Sequence, residues 1–569
     1  PGRSCSWTEP DTAKGMAELA ENLKLHTRTW RAWSVWRWYA LLAGALVLMP
    51  VLVTALAWLQ PVPELWAHLA SVLLPGLLRN TAMLVVGVGV GCLLLGVSLA
   101  WLTATCEFPG RRLFDWALML PLAVPTYVLA FVYVGLLDFS GPVQTVLREW
   151  LGPQFQLPPI RSGGGVVLVL TLALYPYVYM LARAAFLGQG QALFEAARLQ
   201  GLTPLQAFLR VSLPMARPAI AAGLSLALME TLADFGAVSI FNFDTFTTAI
   251  YKAWFGFFSL EMAAQLASLL LLFVLVALFL ERRSRGQARY FQSSLKGRGS
   301  RLRLRRTRAW AATAFAALVL SCAFLLPVAQ LVVWTWKSRS DFDLRYLGLL
   351  WHTLELGAIA AVATVALAVL LAYAKRVERS PWTSRAVASA TMGYAMPGSV
   401  LAVGIMLSFT WFDNRLADLL DTSGQWLSGS VLALVLAYIT RFMAVAYGAV
   451  DSSLEQIRPV LSDAARMLGA RHGEVIRRVY LPMLRPGLLT GALLVAVDVM
   501  KEMPATLMLR PFGWDTLSVR IFELTSEGLW ERAALPAVAL VVLGLGPVLM
   551  LVGRSAATQT IKPQPEVFE

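Results

Sequence analysis

The chain has 569 residues, 58% of them apolar against about 45–50% in an average soluble domain, and 14% charged against about 25%. That excludes a soluble enzyme of two or three domains, which would lack the polar side chains to cover its surface, and it excludes a disordered chain. The formal net charge of +14 leaves a membrane or a nucleic acid as partner, and the positions of the charges decide between them.

A helix needs about 20 mostly apolar residues to cross the hydrocarbon core. Twelve stretches qualify: 39–59, 82–104, 115–137, 164–186, 218–241, 257–281, 309–334, 354–374, 388–411, 429–450, 486–509 and 532–553. The fifth and eleventh are the weakest, since they hold prolines and ionisable residues. Twelve buried helices would make a core with no shell, so the expected fold is an all-α integral membrane protein. The first stretch follows charged and aromatic sequence and reads as a retained span, not a cleaved leader.

With the N-terminus placed inside, the inside segments hold 34 Lys and Arg residues and the outside segments 10. This is the positive-inside pattern, and it puts both termini in the cytoplasm. The densest basic run, Arg282 to Arg308, joins two spans, where anionic headgroups account for it and nucleic acid is not needed. Trp36, Trp38, Trp58, Trp66 and Trp101 fall near span ends, as interfacial anchors do. Cys5, Cys92, Cys106 and Cys322 form no C-x-x-C pair, and His26, His68, His352 and His472 form no ligand-spaced cluster. Neither a disulfide framework nor a metal site is expected.

The basic linker divides the chain into a tail (1–38), six spans (39–281), the linker (282–308), six further spans (309–553) and a second tail (554–569). The halves repeat. Residues 195–218, EAARLQGLTPLQAFLRVSLPMARP, align with 463–486, DAARMLGARHGEVIRRVYLPMLRP, at an offset of 268. Earlier in each half the offset is 272, relating Thr81 to Thr353, Ala100 to Ala372 and Pro125 to Pro397. Six crossings is an even number, so the halves are parallel repeats about an axis along the membrane normal.

The repeated segment lies inside, between the fourth and fifth spans of each half. Glu195, Ala196 and Ala197 start a short helix that Gly201 ends in the left-handed region. Thr203 caps a second helix, Pro204 suits its first position, and Pro214 and Pro218 are expected to stop it. Asp463, Ala464, Ala465 and Gly469 repeat the frame. Headgroup-bound helices would need no shared glycine and proline register, so the pair reads as a docking surface for a cytoplasmic partner.

The E-A-A, then Gly, then hydrophobic-Leu-Pro pattern resembles the cytoplasmic loop of the membrane subunits of binding-protein-dependent ABC importers. The resemblance implies two parallel six-helix repeats of the type I importer kind, with Glu195 and Gly201, then Asp463 and Gly469, as contact and turn residues of coupling helices that enter an ATPase groove. The second copy departs in having aspartate for glutamate. Fusion of two such domains, with the stretches 230–260 and 497–524, is similar to the ferric iron permeases; the thiamine, phosphonate and polyamine branches share the general loop. The implied partners are two copies of a cytoplasmic ABC ATPase, a periplasmic or lipid-anchored binding protein, and the lipid of a bacterial cytoplasmic membrane. No G-x-x-x-x-G-K-[ST] loop occurs in the chain, so ATP and Mg are expected on the ATPase subunits, with no catalytic residue or cofactor here.

Carboxylates in hydrocarbon are costly and mark pathways. Glu230 and Asp234 in the fifth span recur as Asp498 and Glu502 in the eleventh, and each i,i+4 pair is expected on one helix face. Lys501 stands beside Glu502. These five residues either line a translocation path or neutralise one another structurally, directly or through Arg183 and Arg441. On the outer side, Asp244 and Thr245 recur as Asp515 and Thr516 within aromatic–Asp–Thr elements, expected to be an outer gate, a binding-protein dock or a packed re-entrant turn. A proton-coupled secondary transporter would share the spans and carboxylates but would not require the two matched inside loops.

Overall fold

The computed structural model describes residues 35–59, 66–67, 69–189, 197, 199–285, 302–341, 343–378, 380–421 and 424–557. Among them, eleven helices are long and apolar enough to cross a membrane, or twelve when the bent pair Pro381–Ala395 and Gly398–Leu420 counts as one span. The first half carries α1 (Val35–Leu56), α2 (Leu74–Thr105), α3 (Thr126–Leu137), α4 (Gly163–Gly188), α5 (Leu213–Ala233) and α6 (Leu260–Arg285). The second carries α7 (Arg306–Leu320, continued by Leu326–Lys337), α8 (Arg345–Val377), α9 (Gly398–Leu420), α10 (Val431–Glu455), α11 (Leu481–Lys501) and α12 (Trp530–Ala557).

Three departures from the expected spans occur in both halves at equivalent positions. The third and ninth spans start late, because the repeated prolines Pro125 and Pro397 break them. Proline has no N–H and forces the preceding residue out of the helical region, and Val124 and Met396 are extended, with ψ of 119° and 128°. In the second half the preceding segment bends 117° away from α9. The fifth and eleventh spans break at Asp234 and Glu502, which leave the helix with ψ of 126° and 121°.

The third departure corrects the expectation that Pro214 and Pro218 end a loop helix. The chain runs as one helix from Leu205 to Ala233, and its counterpart from His472 to Lys501. Each contains a wider turn just before its first proline, where Leu213 N–H bonds Phe208 O and Leu481 N–H bonds Ile476 O, five residues back. That extra residue per turn relieves the clash and the missing donor that proline brings to an ordinary α-turn.

The cores interlace the two halves. One gathers α2, α3 and α4 with Ala309–Trp334 of α7 and Ala533–Val548 of α12; the other gathers α8 to α11 with Ala40 of α1 and Met262–Val274 of α6. Each half therefore lends its first and last helices to the core of the other. A short parallel pair, β1 (Cys106–Glu107) with β2 (Leu302–Arg303), ties the segment after α2 to the start of the second half. Small residues set the distances between the central helices. A Cβ on Gly91 of α2 would lie 2.5 Å from Thr171 Oγ1 of α4, and one on Gly223 of α5 would lie 2.8 Å from Tyr177 O.

Candidate translocation site

A cavity of about 160 Å³ lies where the broken spans of the two halves meet. Its walls follow the repeat: Glu230 faces it with Asp498, Asp234 with Glu502, Ala233 with Lys501, Ala173 with Arg441, and Leu122 with Tyr394. Thr126, Tyr127 and Tyr177 complete the polar lining. All five path residues expected from sequence are brought together here, but they divide into two roles.

Asp234 and Glu502 hold the chain breaks. Asp234 accepts the amides of Ala237 and Val238, at 3.0 and 3.2 Å, and the Thr126 hydroxyl at 2.6 Å. Glu502 accepts the amides of Ala505 and Thr506, both at 3.0 Å, and the Thr506 hydroxyl at 2.8 Å. Each carboxylate satisfies the free N–H groups of the helix that follows and favours the positive end of its dipole. Because both residues have left the helix, the expected i,i+4 pairs on one face do not form.

Glu230 and Asp498 remain on α5 and α11 and face the cavity. Glu230 Oε1 accepts Tyr394 Oη at 3.1 Å, a bond between the halves. Among the described residues no hydrogen bond or ion pair reaches Asp498. Lys501 Nζ donates to Leu122 O at 3.1 Å, and Tyr127 Oη donates to Lys501 O at 3.4 Å, both again between the halves. The alternative pairing through Arg183 is not seen, because Arg183 forms a two-pronged ion pair with Asp115 at 2.7 and 2.6 Å. Arg441 donates to Met396 O at 3.2 Å and makes no ion pair within 4.0 Å among the described residues.

Sequence reasoning missed the three tyrosines, since a tyrosine in an apolar span gives no signal of its own. The carboxylate breaks did carry one: Asp234 and Glu502 each stand two residues ahead of a helix-start residue, Gly236 or Pro504.

The aromatic–Asp–Thr elements brace the breaks from the other side. Thr245 and Thr516 are buried at the starts of the helices Phe246–Phe255 and Leu517–Ser526. Thr247 and Ser518, two residues on, donate to the carbonyls of Asp234 and Glu502 at 2.7 and 3.0 Å. Asp244 and Asp515 are half-buried and pair with Lys252 and Arg510, each at 2.6 Å.

At the repeated loops, Glu195 and Ala196 lie outside the described residues. Ala197 is buried and its carbonyl accepts Leu202 N–H at 3.3 Å, around Gly201 at φ +84°. In the second copy Ala465 O accepts Ala470 N–H at 3.0 Å and Arg466 O accepts Gly469 N–H at 2.9 Å, around Gly469 at φ +88°. This bonding closes a helix through a left-handed residue, and no neighbour lies within 4 Å of a Cβ at either glycine, so the backbone conformation alone requires it. Thr203 caps as expected, accepting Gln206 N–H at 3.3 Å. Asp463 and Ala464 are exposed, and Asp463 borders a groove of about 440 Å³ with Lys375, Arg376 and Tyr480. Arg376, not singled out from sequence, donates to the carbonyls of Leu454 and Ile457 and fixes the end of α10 against this groove. Leu199, Met467 and Leu468 stand about nine-tenths exposed at the loop tips.

Comparison with known proteins accounts for this arrangement. The family described as binding-protein-dependent transport system inner membrane component matches residues 93–286 and again 364–557. The chain belongs to this family. The two matches confirm the duplication, and they start after α1 and α7, two of the four helices that the halves exchange. Over 485 residues the chain is 28% identical to the Fe(3+)-transport system permease protein FbpB 2 of Haemophilus influenzae, covering 84% of this chain and 89% of that one. It is 32% identical over 146 residues to the molybdenum transport system permease protein ModB of Escherichia coli, covering 26% of this chain and 62% of the relative. It is also 32% identical over 143 residues to the sulfate transport system permease protein CysT of that species, covering 25% and 50%. The chain is thus the membrane permease subunit of a binding-protein-dependent importer. Among its described residues no group of three or more His, Cys, Asp or Glu is placed to hold a metal ion.

Proposed function

We propose that this permease takes ferric iron from an extracytoplasmic binding protein and passes it to the cytoplasm through the cavity between α5 and α11. Two copies of a cytoplasmic ATPase, binding ATP and Mg, dock on the loops 195–218 and 463–486, with both chain termini on that side. The exposed side chains of Leu199, Met467 and Leu468 suit an apolar groove in such a subunit. Asp244 and Asp515, at the opposite ends of the broken spans, suit the binding-protein dock, with Thr245 and Thr516 holding them in place.

One observation carries the reading: the loop helix and the cavity carboxylate share one rod in each half. Leu205–Ala233 is 29 residues and His472–Lys501 is 30, so each rod is about 45 Å long at 1.5 Å per residue. ATP-driven closure of two docked subunits would tilt both rods as rigid bodies and move Glu230 against Asp498. The Tyr394–Glu230, Lys501–Leu122 and Tyr127–Lys501 bonds would then close the cavity in one state and open in the other. Iron is favoured because FbpB 2 matches both halves, whereas the molybdenum and sulfate relatives match about a quarter of the chain.

The test is uptake of radioactive iron into proteoliposomes holding the permease, its ATPase and an iron-loaded binding protein. ATP-dependent uptake is expected. Uptake driven by a proton gradient in the permease alone would favour a secondary transporter, and stimulation only by a thiamine-, phosphonate- or polyamine-loaded binding protein would replace the substrate.

A further inference from the structure

We propose that the cavity binds ferric iron directly, through the phenol oxygens of Tyr177 and Tyr394 and the carboxylates of Glu230 and Asp498. This rests on the iron reading above and adds a site to it. The candidate donors are all oxygen: among the lining side chains there is no histidine or cysteine, and Met503 offers only a weak thioether. Tyr177 lines the same cavity as Glu230, Asp498 and Tyr394, and Tyr394 Oη donates to Glu230 Oε1 at 3.1 Å. A phenol keeps its proton beside a weakly acidic cation, whereas a trivalent ion displaces it. The chemistry balances without a redox partner: each phenolate that binds Fe³⁺ releases one proton to water, and iron stays ferric.

Charge and volume agree with transit of a small ion. Glu230 and Asp498 add to the capped carboxylates of Asp234 and Glu502, while Arg441 and Lys501 offset two of the four. That leaves the site attractive to a trivalent cation yet weak enough to release it, as a conducting site must be. At about 30 Å³ per water, about 160 Å³ holds an ion with a few waters.

The experiment titrates the purified full-length permease in detergent with ferric nitrilotriacetate and reads visible phenolate-to-iron charge-transfer absorption. Wild type should develop this band, and Ga³⁺ should suppress it. Tyr394→Phe and Tyr177→Phe should each weaken iron binding about tenfold or more, whereas Tyr346→Phe, outside the cavity, should not change it. Each variant removes only a hydroxyl, and monodisperse elution checks its folding; if one fails, the other carries the test. No band in wild type, a band unchanged in both variants, or displacement of iron by thiamine but not by Ga³⁺ overturns the proposal. Iron uptake without the band overturns this site alone. A band without iron uptake overturns the transport reading and leaves the site standing.

Discussion

Replacing Asp234 with alanine removes every side-chain acceptor that holds the break between α5 and the helix Gly236–Ile240. Two amides, Ala237 and Val238, and the Thr126 hydroxyl lose their partner. Ala237 and Val238 are fully buried, so bulk water does not reach their amides. Leaving a buried donor unsatisfied costs about 1–3 kcal/mol, and the hydroxyl can turn elsewhere, so the two amides put the loss at about 2–6 kcal/mol. Against a typical stability of about 5–15 kcal/mol, that is a large fraction. Asparagine keeps one oxygen at the amides and should lose much less. Thermal unfolding of the detergent-purified protein should therefore rank wild type and Asp234→Asn close together, with Asp234→Ala well below. Glu230→Gln, which disturbs one bond to Tyr394, should unfold near wild type yet lose most iron uptake. Asp234→Ala that is as stable as wild type but dead in transport would refute the cap and place Asp234 on the path.

Gly201→Ala and Gly469→Ala each force an L-residue to φ of +84° or +88°, at about 1–2 kcal/mol. Co-purification of the ATPase should fall in both, and asparagine, which tolerates that region, should restore it. Arg183→Lys exchanges a two-pronged bond to Asp115 for a single one and should lower thermal stability by about 1–2 kcal/mol, with uptake per folded molecule unchanged. Gly223→Ala places a Cβ 2.8 Å from Tyr177 O and Val178 Cα, both backbone atoms, so α4 and α5 must separate and folded yield should drop. Gly348→Ala, with open space around it, is the control that should leave yield intact.

The parts of this architecture that depend on local chemistry were readable along the chain. A run of apolar residues long enough to span hydrocarbon announces itself, and the turns at Gly201 and Gly469 follow from left-handed backbone that glycine alone adopts freely. The breaks at Asp234 and Glu502 were not read, because a carboxylate inside an apolar run suggests a path before it suggests a cap. Pro214 misled for a related reason: proline forbids an ordinary α-turn but not the wider one that precedes it here. The exchange of α1, α6, α7 and α12 between cores has no local signature, since lipid-facing and helix-facing surfaces are equally apolar. Tyr394 was silent because its meaning comes from Glu230, 164 residues away.

The duplication separates what the frame needs from what the cargo needs. Equivalent positions that hold the backbone keep their chemistry: Asp234 and Glu502 cap, Thr247 and Ser518 brace the same carbonyls, and Gly201 and Gly469 turn. Around the paired carboxylates Glu230 and Asp498, other positions that face the cavity diverge, with Ala173 opposite Arg441, Ala233 opposite Lys501 and Leu122 opposite Tyr394. Two identical halves would give a cavity of two matched walls. Here both added cations and Tyr394 come from the second half, while Tyr127 and Tyr177 come from the first. An ion crossing this interface meets a different set of groups on each wall, so breaking the bonds between the halves changes the donors it can reach. A site built that way can hold cargo in one state and loosen it in the other, without any side chain leaving its own helix.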